Sequence, residues 1–141
     1  MALQVSHQLY LRLLRSDRLS TVTYDIGYDN ATRPIHFLAC SNGVNGLGTR
    51  YGWRTQGKIV NFPYIGGAQF VEKWDSVNCG TCWSTTYKGK TIYILAVDRT
   101  GNGLNIGLQA MQELAGNHYA VQTGRVDAEV ALVPEKFCGL N

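Results

Sequence analysis

A chain of 141 residues, 45% of them hydrophobic, is long enough for one domain with a buried core, and its net charge of +3 is small. Arg12, Arg15 and Arg18, set against Asp17, carry part of that charge in the first twenty residues. The body is therefore nearly neutral, which excludes the basic stripe that nucleic-acid phosphates demand. No run approaches the ~20 apolar residues of a membrane span, and 16 glycines with 8 tyrosines and few charges fit a compact, turn-rich extracellular domain.

In chain order, residues 1–20 read as a leader or an altered N-terminus outside the fold. Arg12 and Arg15 interrupt the apolar run that a secretory signal needs, and the plainer alternative is a short amphipathic helix packed on the body. The domain is expected over residues 21–141. Val22, Tyr24 and Ile26 alternate with Thr23, Asp25 and Gly27, a period of two that predicts a strand. Arg33-Pro34 marks a turn, and residues 35–40 read as a second short strand. A glycine-rich loop from Ser41 to Gly48 follows, with few side chains to pack, so it should lie on the surface and let another group approach its backbone.

Residues 57–60 suggest a further strand and Phe62-Pro-Tyr-Ile-Gly-Gly67 a turn. Phe70, Val71 and Trp74 are spaced for a short helix over residues 68–74. Residues 83–87 and 91–97 are rich in Thr, Tyr, Ile and Val and flank Lys88-Gly89, the pattern of a β-hairpin. It should end at Asp98. Ile106, Leu108, Met111 and Leu114 predict a helix over residues 105–115, stopped by Gly116-Asn117. Val126, Ala128, Val130 and Leu132 alternate through a last strand at residues 125–133.

Four cysteines bear on the chemistry. Cys79 and Cys82 sit between Trp74 and Trp83, while Cys40 and Cys138 stand alone far on either side. The simplest non-crossing pairing joins Cys40 to Cys79 and Cys82 to Cys138, each closing a large loop that contributes roughly 4 kcal/mol on the chain-entropy model. Two bridges would imply an oxidising compartment. Three alternatives stay open. A thioredoxin-type site needs the Cys-x-x-Cys at a strand-to-helix junction, whereas a strand-like run follows here. A structural zinc site takes two such pairs or a spaced His pair, and His7, His36 and His118 have no ligand spacing. Buried free thiols are the third.

Several motifs then stand together: Cys40-Ser-Asn-Gly, Phe62-Pro-Tyr-Ile-Gly-Gly, Trp74-Asp-Ser-Val-Asn-Cys-Gly-Thr-Cys-Trp, Leu95-Ala-Val-Asp98, Leu104-Asn105, Gly124-Arg-Val-Asp127 and a terminal Cys138-Gly. In their order and spacing the chain resembles the cerato-platanin family over about residues 21–141. The resemblance implies a mainly β fold with short helices: a six-stranded double-psi β-barrel akin to expansins, stapled by Cys40–Cys79 and Cys82–Cys138. It also implies a small protein secreted by a fungus to the outside and to the fungal cell wall. Such proteins act as elicitors or phytotoxins, bind chitin or N-acetylglucosamine oligomers, and in some cases loosen cellulose without hydrolysing it. The expected partners are those glycans and the plant cell surface, with no cofactor.

The residues themselves suggest where such a ligand would sit. A carboxylate at the end of an apolar strand costs free energy unless it is solvated or hydrogen-bonded, so Asp98 should lie at a barrel rim facing a groove. Its ordinary alternative is a helix cap or turn residue. Asn105 offers both a donor and an acceptor to the same space. Tyr24, Asp25, Asn42 and Gly43 would complete the groove, and Tyr51 or Trp53 would present an apolar platform to a sugar face. Trp74 and Trp83 read as core, and Asp127 and Glu129 as a solvated strand face.

Function then divides into three classes. A non-catalytic carbohydrate-binding protein is the leading one. A glycan-cleaving enzyme on the same barrel needs two carboxyl groups about 5–9.5 Å apart, for which Asp98 and Asp25 are the only pair to name. A self-associating surface protein would draw on exposed aromatic residues.

Overall fold

A computed structural model of the chain describes residues 19–117 and 122–141. Strands β1 (Leu19–Tyr24), β2 (Ile65–Ala68), β3 (Cys82–Tyr87), β4 (Lys90–Arg99), β5 (Leu104–Ile106) and β6 (Arg125–Val133) close into one barrel in the order β1-β5-β2-β4-β3-β6. The β1–β5 and β2–β4 pairs are parallel and the others antiparallel. Closure leaves no unpaired sheet edge. The short helices α1 (Leu47–Tyr51) and α2 (Leu108–Ala115) lie outside the barrel strands. Disulfides join Cys40 to Cys79 and Cys82 to Cys138, so the six-stranded, twice-stapled barrel implied by the resemblance is the fold observed.

The regular elements form where side-chain pattern and backbone chemistry agree. In β6, Val126, Ala128 and Val130 are buried while Asp127 and Glu129 face solvent, the two-residue period of a half-buried strand. The β3–β4 hairpin pairs Tyr87 with Lys90 across Lys88 and Gly89, both with positive φ (47° and 82°), which is the backbone twist a two-residue hairpin loop requires. Helix α2 buries Ala110, Met111 and Leu114 and stops at Gly116, whose φ of 90° a side chain would oppose.

Several expectations are corrected. The first strand starts at Leu19 and not Thr21, because Leu19 and Ser20 pair with Glu129 and Ala128; the remainder of the leader reading, residues 1–18, lies outside the described residues. It ends at Tyr24, and Ile26 opens a 3-10 turn over Ile26–Asp29, where it is exposed. Residues 35–40 form no strand: Ile35–Phe37 is a 3-10 turn, and Ile35 and Leu38, three positions apart, are both buried. Residues 57–60 likewise belong to a 3-10 turn, Gln56–Lys58, and its exit.

Residues 65–68, expected as a turn and a helix start, form strand β2, and no helix covers residues 68–74. Glycine made β2 hard to recognise and also makes it possible. A Cβ on Gly66 would lie 2.3 Å from the Asn105 carbonyl oxygen of the adjacent strand. The helix expected from Asn105 starts at Leu108, since Leu104–Ile106 are taken by β5.

Candidate functional site

One polar row crosses four strands. Thr23 on β1 pairs with Asn105 on β5, Asn105 with Gly67 on β2, and Gly67 with Asp98 on β4. Residues directly opposite one another share a face of the sheet, so Thr23, Asn105 and Asp98 share one face with a gap at Gly67. The β2–β4 pairing slips by one residue between Gly66 and Gly67, leaving Val97 unopposed and setting Asp98 in the row. Without that bulge the alternation would turn Asp98 to the other face.

Tyr28 fills the gap. Its hydroxyl lies 3.2 Å from where a Cβ on Gly67 would stand, and it donates to Asp98 Oδ2 at 2.8 Å. Burial, and then the adjacent Asp98 carboxylate, push the Tyr28 pKa far above its ordinary value, so the group stays a protonated donor. The other oxygen of Asp98 accepts from the Ala39 backbone N–H at 2.9 Å. Asp98 is therefore a half-buried carboxylate near the end of β4 that ties Tyr28 and the segment before Cys40 to the barrel. Asn105 accepts from the Thr23 hydroxyl at 2.9 Å, which leaves its amide N–H groups for another partner.

From Ala39 the chain runs directly into an open groove of about 390 Å3, lined by Ile35, Ser41, Asn42, Thr49, Trp53 and Arg54 among others. Trp53 stacks on Tyr51 with centroids 4.5 Å apart and planes at 18°, and the Arg50 guanidinium lies 5.1 Å from the Tyr51 ring. Asn42 is held by the Trp74 indole N–H, which donates to its Oδ1 at 2.6 Å. Next to it, Asp75 Oδ1 accepts from the Asn45 N–H and fills the space over Gly43, where a Cβ would come within 2.6 Å of the carboxylate. Trp74 is 55% exposed and clamps this loop, so its assignment to the core is corrected; Trp83 is buried, as expected.

The expected residues are thus distributed over two adjoining features. Asn42 and Trp53 line the groove, Tyr51 backs Trp53, and Gly43 lies next to Asn42. Asp98 and Asn105 form the polar row. Tyr24 and Asp25 are in neither: Tyr24 packs partly against the core opposite Ile106, and the exposed Asp25 caps its own turn by accepting from the Gly27 N–H at 2.8 Å. Sequence reading missed Tyr28, which reaches Asp98 across 70 positions. Asp25 followed by Gly27, read above as strand positions, is also the composition of an Asx turn, which could have signalled that the chain reverses there.

It also missed Asp29, whose two carboxylate oxygens accept from the Leu108 and Gln109 N–H groups and cap α2 from a distant segment. Among the described residues, no group of His, Cys, Asp and Glu is placed to hold a metal ion, and no helix is long and apolar enough to cross a membrane.

Comparison with known proteins gives these features a context. The family model described as Cerato-platanin matches residues 20–140. The chain is 45% identical over 118 residues to Allergen Asp f 15 of Aspergillus fumigatus, covering 84% of this chain and 76% of that protein. The crystal structure of cerato-platanin 3 from M. perniciosa superposes with a TM-score of 0.80 at 39% identity, covering 86% of this chain and 99% of that one. The solution structure of the fungal elicitor Cerato-Platanin superposes with a TM-score of 0.74 at 36% identity, covering 84% and 95% respectively. By sequence, barrel topology and disulfide pairing, this chain belongs to the cerato-platanin family.

Proposed function

We propose that this protein is a secreted, non-catalytic carbohydrate-binding protein of a fungus, taking chitin or N-acetylglucosamine oligomers in the groove beside Trp53. The stacked Tyr51–Trp53 pair at the edge of that groove carries the reading. A flat apolar platform suits the CH-rich face of a pyranose, while Asn42, Ser41, Thr49 and Arg54 supply the mixed donors and acceptors that its hydroxyl and acetamido groups need. The segment 39–42 leads from this platform to Asp98 and Asn105, so an extended oligosaccharide has a second set of polar partners within reach. Two disulfides and membership of a family that includes a fungal elicitor support secretion, action at the plant cell surface as an elicitor or phytotoxin, and expansin-like loosening of wall polymers without cleavage.

The occupation of Asp98 favours binding over hydrolysis. Both of its oxygens already accept hydrogen bonds from Tyr28 and Ala39, and Asp25 is committed to its own turn. The two bonds fix the orientation of Asp98, and each oxygen keeps a second acceptor site for a sugar hydroxyl, which suits binding. Calorimetric titration with chito- and cello-oligosaccharides, run beside a reducing-sugar assay, tests the reading. Trp53→Ala is expected to weaken chito-oligosaccharide binding about five- to thirtyfold, the equivalent of about 1–2 kcal/mol for a lost stacking platform. Sugar release that disappears in Asp98→Asn would replace binding with glycan cleavage, and an unchanged affinity in Trp53→Ala would remove the groove from the reading.

A further inference from the structure

A second cleft lies near the start of β4. It measures about 220 Å3 and is lined by Asn61, Tyr64, Thr91, Tyr93, Glu113 and Phe137 among others. Tyr93 and Asp98 are five positions apart on one strand, so roughly 17 Å of β4 separates this cleft from the polar row at about 3.4 Å per residue. Of the motif residues quoted above, Tyr64 lines it, and none of the residues expected to bind a ligand does.

Three aromatic side chains meet there, and each is restrained. Phe137 is 48% exposed yet stacks on Tyr93, with centroids 5.3 Å apart and planes at 21°. It precedes Cys138, whose disulfide to Cys82 ties this turn to β3. The Tyr64 hydroxyl donates to Glu113 Oε1, and this bond, its largest influence, raises the Tyr64 pKa and keeps the hydroxyl protonated. Lys90 lies 3.9 Å from the other Glu113 oxygen. Asn61 donates from its amide nitrogen to the Tyr64 and Tyr93 carbonyls, which turns its oxygen free as an acceptor.

We propose that the cleft between Phe137, Tyr93 and Glu113 is a second, independent carbohydrate-binding site that takes a single pyranose ring of a β-linked oligosaccharide. Its volume is below the roughly 300–1,000 Å3 of sites that enclose a drug-sized ligand, which suits one ring with the rest of the chain outside. The Phe137–Tyr93 surface offers a stacking platform, and the Asn61 oxygen and the remaining lone pairs of the Glu113 carboxylate are acceptors for a ligand's donors. Sugar hydroxyls supply donors; a proline-rich peptide, the other usual guest of aromatic clefts, has none at its prolines. Two sites on one rigid barrel would let the protein bridge neighbouring glycan chains and gain avidity on an insoluble polymer. The inference rests on the carbohydrate reading for the class of ligand and not on occupation of the first groove.

The test follows backbone amide shifts of the intact protein during titration with triacetylchitotriose, with cellotriose, and with a proline-rich decapeptide. The unmodified protein is expected to show two separate sets of saccharide-induced shifts, one around Ser41–Arg54 and one around Asn61, Tyr93 and Phe137. Phe137→Ala should remove the second set alone and Trp53→Ala the first set alone, and each should weaken retention on insoluble chitin tenfold or more. Glu113→Ala, at an exposed helix position, is an independent variant expected to weaken the second set about fivefold or more. A first set without a second overturns the inference and leaves the proposed function standing. A second set without the first does the reverse. Shifts at Phe137 with the peptide and with neither saccharide, or no shifts there at all, overturn the inference.

Discussion

From Cys82 to Arg99 the chain forms two strands paired register by register across a two-residue turn, whereas from Asp25 to Arg54 it makes 3-10 turns, one short helix and a single isolated bridge between Pro34 and Thr55. The first region is held by its own backbone ladder. The second is held by scattered backbone bonds, such as those from the Ile35 N–H to the Arg54 carbonyl and from the Cys40 N–H to the Val97 carbonyl, and by side-chain ties: Asp98 accepts from Ala39, the buried Gln56 amide donates to the Gly27 and Asn30 carbonyls, and Cys40 is bonded to Cys79. The candidate groove lies in that second region. A groove built on irregular chain thus depends on such scattered ties, while the paired strands form the regular support.

Removing the Cys40–Cys79 bridge should break this contrast most severely. The double substitution Cys40→Ala with Cys79→Ala is expected to cost about 2–5 kcal/mol. Amide exchange should show protection lost first over residues 33–54, with the β3–β4 hairpin protected until global unfolding. Uniform loss across both regions would show that the barrel ladder depends on the bridge as heavily as the groove does.

Tyr28→Phe is the next largest. It removes the donor to Asp98 while leaving the ring in place, and about 1–3 kcal/mol is the expected cost of depriving a half-buried carboxylate oxygen of its partner. The pH dependence carries a second signature. Below pH 10, the ordinary tyrosine pKa, folded and unfolded chains both hold this proton and the contribution is fully present. Above it the unfolded chain releases the proton while the folded one keeps it, so stability falls as pH rises, by up to about 1.4 kcal/mol per pH unit. Thermal unfolding between pH 9 and about pH 11 should show this fall in the parent protein and a shallower one in Tyr28→Phe. Equal slopes in the two proteins would mean that Tyr28 is not the group responsible.

The smallest effect belongs to the hairpin and sharpens the comparison from the other side. Lys88 adopts φ 47°, a conformation that asparagine tolerates better, but its ammonium lies 5.4 Å from the Tyr87 ring, so Lys88→Asn exchanges that contact for a more relaxed turn and should change stability by no more than about 0.5 kcal/mol while leaving any glycan affinity unchanged. A change in affinity would mean that the hairpin and the groove are mechanically coupled.

What the sequence by itself determined follows from interactions that are local along the chain. Alternation in residues 125–133, the β-rich flanks of Lys88-Gly89 and the helical spacing of Met111 and Leu114 each bury one face of an element whatever it packs against, so these elements were legible. The cysteine spacing and the ordered motifs were legible too, and the resemblance they carry extended to the barrel and both disulfides. Of the residues expected together in one groove, Asn42 and Trp53 line the observed groove with Tyr51 stacked on Trp53, Asp98 and Asn105 lie in the polar row, and Tyr24 and Asp25 lie in neither.

The tertiary structure decided the rest. Gly66-Gly67 has no strand signal, yet forms β2 because only a residue without Cβ fits between Asn105 and Arg99. The pattern of residues 104–106 suits a helix or a strand, and the pairing of β5 with β1 and β2 chose the strand. Trp74 has the composition of a core residue and became the clamp on Asn42 because the disulfide-bonded segment carries it to the surface. Tyr28 and Asp98, 70 positions apart, meet only once the bulge in β4 and the bare backbone of Gly67 are both in place. Contacts of that kind depend on residues that are distant along the chain and adjacent in space, and no local pattern records them.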